Sequence, residues 1–387
     1  MYKKDDILNV LIFSTMTWAF LRQRPHQIAL HLSARGNRIV YFQNPTYLTP
    51  SLIVENLREK NIFLKKKIAE GFFVVNLFVP PFSGRLKRVT EKCALLLFKA
   101  YIKLLNFKPE AAIFHSTFYA FLTEPLKSAN VTILYDCIDD FAAFSDVSDS
   151  SEITKAERIL ALKSSYITAV SKRLCEKLRR INPNCFYVPN GADFIHFNRA
   201  VELKGSRTEL SWNTHHVIGF IGAIREWVNV DLLCRLANSH SNYSIMIVGP
   251  VKQGLEKLRQ YPNIELIGPK PYNVLPKYLA CMDVCIIPFK VNRLTLASNP
   301  IKIYEYLAAG KPVVSTALPE ICENASGLVY IARDEEDFVR KVEEAVKEAE
   351  SPNKELVMRR IKFAKENSWE KRIETIEKLL KNIFKIR

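Results

Sequence analysis

The sequence predicts an α/β fold built from two doubly wound, Rossmann-like domains that face one another across a cleft. Three observations predict it. The chain has 387 residues, 48% of them apolar and 11% aromatic, which is more than one ordinary core takes and enough for two. Its first forty residues read strand, helix, strand, the start of a doubly wound sheet. A second strand-to-turn-to-helix start appears at Val217–Ile221, after a polar, irregular segment from Asn198 to His216 that we assign as the linker. The expected division is therefore 1–197 and 198–367, followed by a last helix over 368–387.

Taken in order, Ile7–Phe13 is the first buried strand and Arg24 to about Arg35 the first helix, stopped by Gly36. Arg38–Phe42 is the second strand. The first turn carries no glycine, so a dinucleotide fingerprint is missing and a dehydrogenase is disfavoured. Loops that follow strands face the ligand crevice in such sheets, which makes Trp18, Arg24 and His26 candidate cleft residues. Each is equally at home as a packing residue. Ile53–Pro81 mixes charged and apolar pieces and reads as strands and a loop. Arg85–Lys108 is a basic helix with Lys92, Lys99 and Lys103 on one face and Cys93, Leu97, Ala100 and Leu104 on the other. Leu96 sits beside the lysine stripe. A solvated face is the default reading, while a basic amphipathic helix also suits an anionic membrane surface.

Ala111–Phe114 and Val131–Tyr135 are the next strands, and each delivers polar residues to its carboxyl end. His115 follows the first. The second is followed by Asp136, Asp139 and Asp140, and carboxylates this close repel one another and raise a pKa, as a general base requires. We take Asp139 as the candidate base, Asp136 or Asp140 as its orienting partner and His115 as a second candidate, against the plain alternative of helix capping. A helix over Glu157–Lys163, a strand over Tyr166–Ser171 and a helix over Arg173–Arg180 lead to Asn190-Gly191, a turn signal tolerant of positive φ.

In the second half, Gly222 lets backbone approach a ligand and Arg225 can offer a bidentate fork to phosphate. Ser244–Val248 and Ile264–Ile267 are strands. Tyr272 follows the second in a Gly-Pro-Lys-Pro-Tyr turn. Leu275–Cys281 is a helix and Val284–Pro288 a strand, followed by a polar loop to Asn299 that carries Arg293 and Ser298. Then comes SNPIKIYEYLAAGKPVV, residues 298–314. Asn299 reads as an N-cap and Pro300 as the first helical residue. The helix amino end with Lys302 is an anion site. Glu305 lies about 7.5 Å further along the axis, a spacing that suits a diphosphate at the cap and a ribose at the carboxylate. The plain alternative is an ion pair between Lys302 and Glu305. Gly310 and Pro312 stop the helix. Helices over Asp334–Glu350 and from Pro352 precede the last one, whose Ile373, Ile376, Leu379, Leu380 and Ile383 have packing spacing.

The net charge is +16, and residues 1–110 hold 18 basic against 7 acidic side chains, a surplus of 11. An anionic partner follows, and the scattered basic residues lack a nucleic-acid-binding pattern. The eight cysteines form no C-x2-C pairs, so neither disulfides nor a metal site is expected. No apolar run reaches about 18 residues and no signal peptide is seen, which points to the cytoplasm.

The segment 298–314 resembles the donor-site helix of GT-B glycosyltransferases, in particular the family-4-like group. TWAFLRQRPHQIALHLSARGNRIVYF and the Glu226-Trp227 of GFIGAIREWVNVDLL resemble glycosyltransferases of the teichuronic-acid, cell-surface polysaccharide type, and VPNGADFIHF resembles the segment before the interdomain linker of GT-B enzymes. The resemblance covers nearly the whole chain. It implies that the 368–387 helix packs back on the first domain and that the turn before Tyr272 cups a nucleobase, with Tyr272 stacking on the base or packing on the surface. It implies that the first domain binds a glycan or lipid-linked acceptor and the second a nucleotide sugar of the UDP kind. Glu305 would hold the ribose, and Asn190-Gly191 would border the cleft. It also implies a retaining transfer with no cofactor, while the Asp136–Asp140 carboxylates leave an inverting course open. Arg225, Lys302 and the helix end would take the place of a metal ion, and the basic helix would bring the chain to the inner face of the plasma membrane. One departure stands out, because Ala297 occupies the place of a second glutamate eight positions before Glu305. A non-catalytic scaffold subunit and a sugar-nucleotide epimerase are the alternative functions.

Overall fold

The computed structural model describes residues 7–19, 21–49, 64–81, 86–144, 150–203 and 216–382. The strands of the first half are β1 (Asn9–Phe13), β2 (Arg38–Phe42), β3 (Thr46–Tyr47), β4 (Lys65–Ala69), β5 (Phe72–Val75), β6 (Phe78–Val79), β7 (Ala111–Phe114), β8 (Thr132–Cys137), β9 (Tyr166–Ala169) and β10 (Cys185–Tyr187). Eight of them make one sheet in the order β10-β9-β8-β7-β1-β2-β5-β4, and β3 pairs with β6 apart from it. Neighbours in the sheet are parallel except β4 and β5, an antiparallel hairpin. Strands β1, β2 and β7 are covered on both faces, which is why they read as unbroken apolar runs. Phe13, Phe42 and Phe114 pack on one face, and Val10, Ile12 and Ile113 on the other.

The second half holds β11 (His216–Ile221), β12 (Tyr243–Val248), β13 (Ile264–Gly268), β14 (Val284–Ile287), β15 (Val313–Thr316) and β16 (Tyr330–Ala332). They form a parallel sheet in the order β13-β12-β11-β14-β15-β16. Its two faces carry separate cores. In each sheet the strand order reverses beside the first strand, between β1 and β7 and between β11 and β14. Ligands bind at such switch points, beyond the carboxyl ends of the strands.

The last helix, Trp369–Leu380, crosses to the first sheet, where Ile373, Ile376, Leu379 and Leu380 are buried with Val10, Ile12 and Ile28. The crossing is clamped by paired bonds, from Ala192 N–H to Asn367 O and from Trp369 N–H to Ala192 O, both 2.9 Å. Gly191 is required here for space. A Cβ on it would meet the backbone at Asn367, Ser368 and Trp369, each at 3.0 Å. Its φ is not positive, so the expected left-handed turn is replaced by a close crossing. The stretch read as irregular from Asn198 opens inside a helix, Phe194–Glu202, with Phe197 and Ala200 in the second half's core. Residues 204–215 of the expected linker lie outside the described residues, as do 53–63 of the Ile53–Pro81 reading and 383–387 of the last helix.

The basic helix spans Lys87–Leu104 and buries Thr90, Ala94, Phe98 and Tyr101. The expected apolar face is thus turned aside. Ala100 and Leu104 face solvent beside Lys92, Lys99 and Lys103, and Leu96 is 68% exposed. All eight cysteines are free thiols.

Candidate functional site

The two switch points open on one cavity of about 660 Å³. Thr15, Met16 and Thr17 after β1 and Thr117 after β7 wall one side, and Gly222, Ala223 and Arg225 after β11 wall the other. Ser298, Asn299, Pro300 and Lys302 join the second side, while Arg24, Asp139 and Asn190 join the first. Nine of the residues singled out in the sequence therefore line a single space.

The helix on the donor-candidate side runs Ile301–Ala308, with Pro300 at the cap position and no side chain capping it. Asn299 was the expected cap, but it is 5% exposed and turned elsewhere. Its Oδ1 accepts from Asn190 N–H at 3.0 Å, its carbonyl accepts from Asn190 Nδ2 at 2.6 Å, and its Nδ2 donates to Glu320 at 2.8 Å. It joins the two halves at the cavity floor, and the free amide groups of the helix's first turn are left for a ligand. Lys302 Nζ lies 2.7 Å from Glu305 Oε2. Glu305 is 2% exposed and does not wall the cavity. Burial raises its pKa, and the Lys302 ammonium partly opposes that. In this state the ion pair, the plainer of the two sequence readings, is what forms. Arg225 lies 5.9 Å from the Trp227 ring centre and makes no ion pair among the described residues.

The carboxylates of the first half divide sharply. Asp136 is fully buried at the end of β8 and takes both arms of Arg24, Nε and Nη2, at 2.7 Å each. Thr168 Oγ1 donates to it at 2.6 Å, and His115 Nδ1 lies 3.1 Å away. Burial alone would raise its pKa, yet Arg24 and His115 together hold it well below the usual carboxylate range. With its oxygens so engaged it is no proton acceptor, and it holds Arg24 and His115 rather than Asp139. His115 is fully buried and does not wall the cavity. Asp139, three residues on, does wall it. Burial and then the Asp140 charge push its pKa up to about 7, which leaves a carboxyl able to exchange a proton near neutrality.

Other predicted residues sit away from the cavity. Trp18 packs on His26, Tyr41 and Phe72 at 5.2 Å between ring centres. His26 is 2% exposed, with its Nδ1 accepting from Gln23 N–H at 3.2 Å and its Nε2 3.0 Å from Thr17 O. Burial lowers its pKa to about 4, so it is a neutral strut under the cleft. Tyr272 is stacked on His196 at 4.5 Å, with the Arg22 guanidinium 4.4 Å from its ring centre. Its hydroxyl accepts from Gln27 and donates to Asp193, both at 3.0 Å. Its ring is thus engaged in joining the halves, and the expected base platform is not formed by it. Arg293 is 69% exposed and pairs with Asp140 at 3.5 Å instead of facing the cavity. Gly191 lies at the crossing described above. Among the described residues no group of three or more His, Cys, Asp or Glu could hold a metal ion.

Residues 215–348 match the family model Glycosyl transferases group 1. The protein TuaH of Bacillus subtilis (strain 168), assigned as a teichuronic acid biosynthesis glycosyltransferase, is 27% identical over 366 residues, covering 85% of this chain and 86% of that one. The structure of sucrose-phosphate synthase from Thermosynechococcus elongatus superposes with a TM-score of 0.77 at 14% identity, covering 97% of this chain and 99% of that one. HepE of Anabaena, solved with UDP and glucose, gives 0.69 at 13% identity over 97% and 99%. The second half carries a glycosyl transferases group 1 domain, and the chain has the GT-B fold.

The cavity also contains residues the sequence did not single out. Gln23, Asn44 and Thr15 add neutral polar groups, and Phe141, Phe144, Trp227 and Phe289 supply apolar wall. Phe144 and Trp227 meet edge to face at 6.2 Å, closing one end of the cleft. Only the fold brings residues 83 positions apart together, although Trp227 lies two places from Arg225 in a turn already picked out.

Proposed function

We propose that the chain transfers a sugar from a nucleotide-sugar donor of the UDP type to a glycan or lipid-linked acceptor, in the making of a cell-surface polysaccharide. One observation carries the reading. A single cavity is walled by Asp139 from the first half and by Arg225, Lys302 and an open helix amino end from the second. The cations and amide groups suit a departing diphosphate, whose charge grows as the glycosyl bond breaks. Lys302 would turn from Glu305 to the phosphates, freeing that carboxylate for the ribose hydroxyls. Asp139 lies across the cavity as the acceptor of the proton that the attacking hydroxyl sheds. The HepE complex with UDP and glucose and the teichuronic acid assignment of TuaH support the donor and the pathway class.

Because Arg225, Lys302 and the helix end supply the positive charge, the transfer is metal-independent in this reading. Activity is expected to persist in excess EDTA, and complete loss on chelation would refute that part. Retention at the anomeric carbon follows from the family resemblance. The inverting course has one observation in its favour: Ala297 is 1% exposed and packs into the first half's core, so Asp139 is the carboxylate that faces the cavity. NMR of the anomeric proton in the first product distinguishes the two. No helix among the described residues is long and apolar enough to cross a membrane. The Lys92–Lys99–Lys103 stripe, with Leu96 and Leu104 in the open, is suited to reversible docking on the anionic cytoplasmic leaflet.

A further inference from the structure

A second cavity, of about 820 Å³, opens between the Lys87–Leu104 helix, the short Thr117–Leu122 helix and the Ser150–Lys163 helix. Its volume is within the usual range for small-molecule sites. Phe118, Phe121, Ala156 and Ile159 give it an apolar lining. Lys87, Arg88 and Lys155 stand among its walls with Glu91 and Glu152. Lys87 is 2.9 Å from Glu152 and Lys155 3.7 Å from it, while Arg88 is exposed and makes no ion pair among the described residues. The Lys87–Leu104 helix as a whole carries five basic side chains and one acidic one.

The groove adjoins the candidate active cleft. Thr117 walls both cavities, and one turn of the Ser150–Lys163 helix serves both, with Ile153 in the cleft and Glu152, Lys155 and Ala156 in the groove. At the outer end the apolar character continues onto the surface, where Leu86, Val89, Ile159 and Leu162 are between 41% and 57% exposed. A ligand matching this path has a sugar at one end, a negative charge in the middle and a single hydrocarbon chain at the other.

We infer that the groove holds the phosphorylated lipid end of the acceptor, a single hydrocarbon chain bearing a phosphate or diphosphate whose sugar reaches Asp139 past Thr117. The inference rests on the glycosyltransferase reading above and adds the acceptor's chemical class and its path. A flat membrane contact calls for protruding side chains, whereas here aromatic rings line a concavity large enough for a chain.

The test uses farnesyl phosphate as the probe, with farnesol and inorganic phosphate as its two halves, titrated into the full chain by calorimetry. Farnesyl phosphate binds more tightly than either half. Ile159→Glu and Arg88→Glu each weaken it by about tenfold or more, from the loss of buried apolar area and of a charge-assisted bond. Both positions are exposed, so the variants keep the wild-type melting curve, and both bind UDP as the wild type does. UDP binding without farnesyl phosphate binding overturns the groove assignment and spares the donor reading. Failure of UDP to bind the wild type sinks the donor reading, and farnesyl phosphate still reports on the groove separately. If the two variants lose flotation on phosphatidylglycerol vesicles yet bind farnesyl phosphate undiminished, the face is a membrane surface and the groove assignment falls.

Discussion

Removing either partner of the Lys302–Glu305 pair has unequal consequences for stability and the same one for ligand binding. Glu305 is 2% exposed and Lys302 18%, with 2.7 Å between their charged atoms. Lys302→Met strands a buried carboxylate, and breaking a buried pair from one side costs about 3–5 kcal/mol. The lower end applies, because the stranded group can take up a proton. The sign follows from that. Its folded pKa is raised above the unfolded value, so the penalty is full above that raised pKa, fades as pH falls from there towards the ordinary carboxylate value, and is gone below it. Glu305→Ala leaves only Lys302, which can turn to water, and costs far less. The double variant recovers most of the stability lost in Lys302→Met. For UDP, Lys302→Met and Glu305→Ala each remove a charge-assisted bond worth about 1.5–3 kcal/mol, which is about 10- to 150-fold in affinity. Thermal melts at pH 5 and pH 7.5 and UDP calorimetry on all three variants measure both quantities. UDP binding by Glu305→Ala with wild-type affinity would refute the donor-site reasoning outright.

Asp139→Asn is expected to lower turnover about 10²- to 10⁴-fold. The wild-type rate should climb as pH rises through about 7, since the carboxyl must be ionised to accept a proton and its pKa is about 7; a flat profile there would remove it from the chemistry. The same raised pKa makes ionisation above pH 7 a cost to the fold, so this variant should melt no lower than wild type at pH 8. Gly191→Ala drives a methyl group to 3.0 Å from three backbone atoms of the 367–369 crossing. It should cost about 1–3 kcal/mol in urea melts, and an unchanged midpoint would show that the crossing can give way.

The strands and helices were legible because each is a local pattern. β1, β2, β7, β8 and β11 are short apolar runs closed by polar residues, and Gly310, at φ +67°, stops its helix as a glycine there should. The carboxyl-end rule also drew attention to the right loops. Which side chain of a loop reaches the cleft was not legible, because contacts distant in sequence decide it. His26 was a cleft candidate until Thr17 and Gln23 claimed both its nitrogens. Tyr272 had a free ring until His196 and Arg22, 76 and 250 positions earlier, took it. Arg24 and Asp136 were each picked out for charge, and only the 112-residue closure between them shows that they neutralise one another beneath the site.

Asn299 shows most clearly what a local rule misses. By its neighbours it is a helix cap, and a cap would have fixed it within the second half. Instead its side chain and carbonyl meet Asn190 from the first half, while Nδ2 meets Glu320, a buried carboxylate that also accepts from Lys172 N–H at 2.8 Å and Tyr187 Oη at 2.7 Å. Three first-half residues thus converge on the residue that leads into the candidate donor helix and on its partner. Any change in the separation of the halves must break or stretch these bonds. The geometry of the candidate phosphate site is therefore mechanically tied to closure of the cleft, and a ligand that touches both walls is the one that would stabilise the closed arrangement best.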